Sequence, residues 1–255
     1  MSNLIAADLR RLTKSKAFYW ICILAPAILV LLEVFSYVFM TLLGFDSPVY
    51  ADAILPAIEM RYGALLPALF VSCFFGHETV TGCLRNKLIA GNSRVSCFMS
   101  SSFCSVVAAL VTQLSVYLSS EVLGAIFGEG LTFNAELGRY TLLRVLASVV
   151  LSVFFVALTF IFACNTGAYV AGGALSGAMV IFGLEILTKL YPDDGIIKIT
   201  GTRLAVYSFI DKYVPFSYFS APVLRDIKTY AMGLVGTLII ALVLGTIVSS
   251  RKELK

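Results

Sequence analysis

The sequence predicts an all-α membrane protein with six transmembrane helices, organised as a single domain over residues 1–255. Hydrophobic residues make up 59% of the chain and charged residues only 13%, whereas soluble domains have roughly 45–50% and about 25%. The apolar residues also fall in runs long enough to cross a bilayer as helices, which takes about 20 residues. The positive charges gather in three short segments that a membrane topology places on one side.

Six apolar runs are the expected spans, because a helix satisfies its own backbone hydrogen bonds in the lipid core. They cover approximately residues 18–43, 54–75, 97–126, 142–163, 166–187 and 230–249. Only the polar pair Cys164 and Asn165 divides spans four and five. Pro56, Glu59 and Pro67 make span two the least regular of the six.

The placement of Lys and Arg predicts the topology. Residues 1–17, the loop 77–96 and residues 250–255 together hold ten of the nineteen basic residues. Basic residues concentrate on the cytoplasmic side of a membrane. We therefore expect a multi-pass cell-membrane protein with both termini and the loop 77–96 in the cytoplasm.

Residues 1–17 have the pattern of an interfacial helix. Apolar side chains recur at helical spacing at Leu4, Ile5, Leu9 and Leu12. The charged residues Asp8, Arg11 and Lys14 fall among them. This pattern predicts a helix along the inner membrane surface. The alternative is a plain positive flank of span one.

Residues 188–229 form the longest segment predicted outside the membrane, on its external side. Within it, apolar residues recur at helical spacing at Val206, Phe209, Ile210, Tyr213 and Val214. The spacing predicts a short amphipathic helix before the last span, in the outer interface or against the bundle. Pro215 and Pro222 are expected to end it.

The cytoplasmic loop between spans two and three predicts a second short helix. Leu84 and Leu88 lie four residues apart and therefore share one face. Gly82 precedes the helix and Gly91 follows it, where a left-handed residue is expected, while Ser93 can cap the next span. An apolar ridge with basic flanks can bind a groove in a partner protein. An ordinary positively charged loop is the alternative.

Catalytic motifs are scarce. The chain has one histidine, His77, whereas an intramembrane metalloprotease needs several metal ligands. We find no GxxxxGK[ST] phosphate loop and no GxSxG nucleophile motif. The six cysteines form no CxxC pair, and there is no long basic tract. We therefore expect no enzyme activity, metal site, cofactor or nucleic-acid partner for the chain itself.

Three carboxylates fall within the predicted spans. Glu121 and Glu185 lie toward the outer ends, whereas Glu33 lies deep in span one. An ionisable group in hydrocarbon is costly and marks a candidate functional site. Glu33 is therefore a candidate for the cargo path, and a carboxylate satisfied by a neighbouring polar group is the alternative.

Two patterns resemble the permease subunit of an ABC transporter of the type-2 exporter class. The first is Glu78-x-x-x-Gly82-x-x-Arg85-Asn86-Lys87-Leu88-x-x-Gly91-x-Ser93-Arg94. In that family this stretch is the coupling helix. The run Asp8-Leu9-x-Arg11-Leu12-x-Lys14-Ser15-Lys16 is similar to the family's amphipathic connecting helix. Cys83 departs mildly from the pattern, since the family often has Thr there.

The resemblance implies that a separate cytoplasmic ATP-binding-cassette ATPase holds ATP and Mg and docks on this loop. A second six-span subunit, identical or different, would complete the path. Arg85, Lys87 and Arg94 would contact the ATPase or lipid phosphates. Leu84 and Leu88 would fill its groove. Gly82 and Gly91 would set the turns at the two ends of the helix, and Glu78 would transmit its motion to the spans.

The cargo implied by the resemblance is hydrophobic or amphipathic: an antimicrobial peptide, a drug or a lipid moved outward across a bacterial plasma membrane. Two other functions stay open. An ion-coupled secondary carrier would use a membrane carboxylate such as Glu33. A non-transporting membrane immunity or sensor protein could share every feature except stimulation of an ATPase.

Overall fold

The computed structural model describes residues 2–42, 55–126, 135–162, 201–213 and 227–251. These segments form eight helices and contain no strand, which confirms the all-α prediction for this part of the chain. The helices are α1 (Ser2–Lys14), α2 (Lys16–Leu42), α3 (Leu55–Val80), α4 (Cys83–Ile89), α5 (Arg94–Ile126), α6 (Ala135–Phe162), α7 (Thr202–Tyr213) and α8 (Ile227–Arg251).

Three stretches of the described chain are long and apolar enough to cross a membrane. They are Arg94–Ser119 of α5, Leu142–Ile161 of α6 and Ala231–Ser250 of α8, and they coincide with predicted spans three, four and six. Predicted spans one and two are helical as α2 and α3, with Lys16–Ile28 a shorter apolar stretch in α2. Predicted span five, residues 166–187, lies outside the described residues.

The helix α6 is the centre of the bundle. It packs against α3, α5 and α8, and its apolar stretch is 67% buried, against 17% for that of α8. Large apolar side chains are exposed on the outer surfaces of α2, α5 and α8, for example Phe35, Leu114 and Ile239. An apolar surface of this extent is typical of a protein that other molecules, here lipid, cover.

The helix α1 lies against the bundle through its apolar side. Leu4 and Leu12 are buried, and Leu12 packs in a core cluster with Phe18, Val71 and Phe98. Its main contacts are with α5 and α2. The predicted N-terminal helix is therefore present, and it gathers with α4, the end of α3 and the start of α5 at one end of the bundle.

The helix α8 reaches the same end of the bundle, where Gly245 faces the ring of Phe98. A Cβ on Gly245 would overlap that ring, and Phe98 is fully buried and therefore has no room to move. We expect Gly245→Ala to lower stability by about 1–3 kcal/mol through overpacking, measured as a lower melting temperature in detergent.

Gly236→Ala in the same helix is the matched control for this prediction, because nothing lies within 4 Å of its added Cβ. Alanine is also a better helix former than glycine. The control should therefore melt at or slightly above the wild-type temperature. Equal melting of the Gly245 and Gly236 variants would contradict the packing of α8 against α5.

The predicted amphipathic helix before the last span is present as α7. It begins after Gly201, which has φ +77°, and is described through Tyr213, whereas Val214 of the predicted pattern lies outside the described residues. The helix contacts α8, and its apolar side chains Leu204, Val206 and Phe209 are exposed. The described residues of the 188–229 segment are thus helical and present an apolar surface.

Candidate functional site

The loop between α3 and α5 folds as predicted into a two-turn helix, α4, closed by glycine at both ends. Gly82 and Gly91 have φ values of 70° and 86°, which cost an L side chain roughly 1–2 kcal/mol. The N–H of Gly91 donates to the carbonyl of Leu88 at 3.0 Å, and the N–H of Asn92 to that of Lys87 at 3.3 Å. This pair of bonds is the Schellman closure of a helix C-terminus.

The cap predicted at Ser93 is also present. The N–H of Ser96 donates to Ser93 Oγ at 3.1 Å, which satisfies one of the free amides at the start of α5. The side-chain amide of Asn92 donates to the carbonyl of Lys87 at 3.0 Å. The connection from α4 to α5 is therefore fixed by local hydrogen bonds.

Four charged residues from three helices meet beneath α4, and we call them the ion network: Asp8, Arg11, Glu78 and Lys87. The ammonium of Lys87 lies 2.7 Å from Asp8 Oδ1 and 2.8 Å from Glu78 Oε2, and the guanidinium of Arg11 pairs with Glu78 Oε1. Asp8 and Glu78 are only 3% and 4% exposed. Buried charges are stable only when paired, and these two cations balance two anions.

Neutral partners extend the ion network to a fourth helix. Ser100 of α5 donates its hydroxyl to Asp8 Oδ2 at 2.6 Å. Arg11 donates to Cys83 Sγ at 2.9 Å, and its guanidinium lies 5.1 Å from the ring centroid of Phe74. Helices α1, α3, α4 and α5 are therefore joined through one buried polar centre.

The structure places Lys87 differently from the sequence analysis, which expected it to face a partner or lipid phosphates. Its side chain is only 11% exposed, and its ammonium lies inside the ion network. The reason is helical spacing: Lys87 follows Leu84 by three residues and Leu88 follows it by four, so both lie beside Leu84 on the inward side of the helix. Leu84 and Leu88, which were expected to fill a partner's groove, are accordingly half-buried on this inward side and not on the exposed face.

The outward face of α4 consists of Arg85, Asn86 and Ile89, all exposed. Ile89 is 74% exposed and is the most exposed apolar side chain of this helix. Arg94, predicted to contact a partner, is half-buried at the start of α5. Ile89 was not among the residues expected to contact a partner, although its spacing of four from Arg85 places the two on one face.

No family model matches this chain, and no curated protein matches it. Within the described residues, no group of three or more His, Cys, Asp or Glu side chains is placed to hold a metal ion.

The described bundle also contains a buried arginine that the sequence analysis did not single out. Arg144 of α6 is 2% exposed and lies in the apolar stretch Leu142–Ile161. Ser148 and Ser152 follow at intervals of four and are also buried, which makes a polar stripe along one face of α6. A charge inside an apolar run is the signal that could have found it.

The three carboxylates predicted within the spans lie wholly or partly outside the described structure. Glu33 and Glu121 lie within helices α2 and α5, but their side chains fall outside the described part of the structure, and Glu185 lies outside the described residues altogether. The expected role of Glu33 in a cargo path stays a prediction.

Proposed function

We propose that the chain is the membrane-spanning permease subunit of an ATP-driven exporter, and that α4 is the helix on which a separate cytoplasmic ATPase docks. The proposal includes six spans, cytoplasmic termini and a second six-span subunit, identical or different. The ATPase holds ATP and Mg. The cargo is hydrophobic or amphipathic, of the class of antimicrobial peptides, drugs or lipids, and moves outward.

The observation that carries the proposal is the buried anchoring of α4. An isolated helix of seven residues is not stable in water, yet α4 is closed by two left-handed glycines and tied down through Lys87. An ordinary connecting loop requires no such fixation. A helix held firmly on its inner side and exposed on its outer side is suited to transmit force from a bound protein.

The ion network supplies the route for that force. A displacement of α4 acts on α3 through the pair between Lys87 and Glu78, and on α1 through the pair between Lys87 and Asp8. Because separating a buried ion pair costs several kcal/mol, these helices move together with α4. The hydrogen bond from Ser100 to Asp8 adds α5 to the moving group.

The exposed side of α4 supplies the contact surface. Ile89 is an apolar anchor, and Arg85 and Asn86 beside it are polar groups that can pair with a partner's surface. This is the composition expected of a short helix bound in a protein groove, with an apolar anchor and a polar rim. Leu84 and Leu88 support the helix from beneath.

The test is a mild-detergent purification of the tagged chain from its native membrane, with mass spectrometry of the proteins that copurify. We expect a stoichiometric soluble ATPase with the wild type and its loss with Ile89→Asp, because the new charge would be buried in the partner's groove. Thr13→Asp, which places a charge at an exposed position of α1, is the control and should retain the ATPase.

A wild-type preparation without any ATPase, under conditions that keep other membrane complexes intact, would overturn the proposal. A stand-alone ion-coupled carrier or a membrane immunity or sensor protein would then be the better interpretation. Retention of the ATPase by Ile89→Asp would overturn the assignment of α4 as the docking helix.

A further inference from the structure

A cavity of about 590 Å³ lies between the turn from α1 to α2 and the C-terminal part of α3. Its volume falls within the roughly 300–1,000 Å³ of small-molecule sites. On one side it is walled by Phe70, Cys73 and Phe74 of α3, and on the other by Ser15 and Ala17. This space is separate from the outward face of α4, where the ATPase is proposed to bind.

The cavity changes character along α3. Its α3 lining is apolar over the turn from Phe70 to Phe74 and becomes polar at His77 and Glu78, and Thr81 lines it just beyond the helix. At 1.5 Å of rise per residue, the helical lining from Phe70 to Glu78 extends about 12 Å. A ligand that fits both parts must have an apolar portion next to a polar one.

The polar part of the cavity carries an uncompensated positive charge. Arg11 and Glu78 both line it, but they pair with each other inside the neutral ion network. Lys14 also lines it, is exposed, and takes part in no ion pair among the described residues. The complementary ligand group is therefore an anion.

We propose that this cavity binds an anionic phospholipid, with its phosphate beside Lys14 and an acyl chain against Phe70 and Phe74. The cavity lies at the end of the bundle where α3 ends and the apolar stretch of α5 begins, which is the level of the lipid headgroups in the predicted topology. A free phosphate ion would leave the aromatic wall unused. The site depends only on the membrane, and not on the ATPase.

The first experiment is native mass spectrometry of the purified chain with phosphatidylglycerol and with phosphatidylcholine of the same acyl chains. We expect preferential phosphatidylglycerol adducts, and a loss of about fivefold in that preference with Lys14→Ala, the effect of one basic residue at an anionic membrane surface. Lys16→Ala is the matched control, because Lys16 is exposed nearby but does not line the cavity.

A second variant tests the cavity rather than the charge. Cys73 is exposed on the apolar wall. The variant Cys73→Trp therefore fills the cavity without placing a larger side chain in the buried core. Adducts of both lipids should fall with this variant. Unchanged phosphatidylglycerol adducts in both Lys14→Ala and Cys73→Trp would overturn the proposal. It would also be overturned if Lys16→Ala lost the preference for phosphatidylglycerol as much as Lys14→Ala, because the preference would then come from the general positive charge of the surface.

Modification of Cys73 by a maleimide, followed by peptide mass spectrometry, distinguishes the sources of the anion. Phosphatidylglycerol should slow the modification several-fold, whereas inorganic phosphate and phosphatidylcholine should not. If inorganic phosphate alone slowed the modification of Cys73 equally, the site would be assigned to a free anion. If phosphatidylcholine slowed it equally, Lys14 would have no role in selecting an anionic headgroup. Either outcome overturns the proposed lipid.

Discussion

Lys87→Met is expected to destabilise the protein by about 3–5 kcal/mol, the cost of breaking a buried ion pair by removing one partner. Within the described structure, Lys87 is the cation paired with Asp8, and it shares Glu78 with Arg11. Among the partners that the described residues supply, its loss leaves the carboxylate of Asp8, which is 3% exposed, with the hydroxyl of Ser100. The measurement is thermal unfolding in detergent, with the monodisperse fraction after purification as a second readout.

Two further variants make this prediction specific to the ion network. Arg85→Met changes an exposed cation two residues earlier in the same helix and should leave the melting temperature nearly unchanged. Adding Asp8→Asn to Lys87→Met removes the stranded charge and leaves Arg11 paired with Glu78, so most of the lost stability should return. A double variant as unstable as Lys87→Met would show that the cost arises from lost packing of the lysine stem.

The local features of the site could be predicted from the sequence because their causes are local. A glycine with positive φ at Gly82 or Gly91 and a serine cap at Ser93 depend on residues a few positions away. The same holds for the helices of the described spans, whose apolar runs are long enough to recognise without knowing their neighbours.

The ion network could not be predicted in the same way. It joins residues far apart in sequence, with the bond from Ser100 to Asp8 spanning 92 positions and that from Arg11 to Cys83 spanning 72. The pattern showed that charges were present near both loops, but only the packing of α1 on α5 decides which charges are buried. For this reason Lys87 was expected on the surface and is found beneath it.

The same tertiary effect explains Arg144. In the sequence it lies near the start of an apolar run, where a basic residue is compatible with the membrane interface. In the structure α6 is the central helix, and the side chain is 2% exposed. Whether a charged side chain at the end of a span is buried depends on how many other helices surround that span. The residue pattern of one span does not contain this information.

The double variant Asp8→Asn/Lys87→Met also separates docking from transmission in the proposed exporter. Both positions lie beneath α4, so the outward face of Arg85, Asn86 and Ile89 is unchanged. We expect the ATPase to copurify at the wild-type ratio. The ion pairs of Lys87 that tie α4 to α1 and to α3 are gone, however, and the weaker hydrogen bond from Arg11 to Cys83 remains. Stimulation of ATP turnover by the permease should therefore fall roughly tenfold, within the range of ordinary coupling free energies.

The measurement for this last prediction compares ATP turnover of the assembled complex with that of the isolated ATPase, for the wild type, the double variant and Thr13→Asp as the surface control. Wild-type stimulation with the double variant would contradict transmission through the ion pairs of Lys87, to Asp8 and to Glu78 alike. The hydrogen bond from Arg11 to Cys83 and the direct link from α4 to α5 would then be the route. Loss of copurification would show instead that the ion network shapes the docking surface itself. Stimulation lost with full copurification is the result that requires α4 to move together with the helices to which Lys87 ties it, α1 and α3, because the docking face of α4 is intact in this variant.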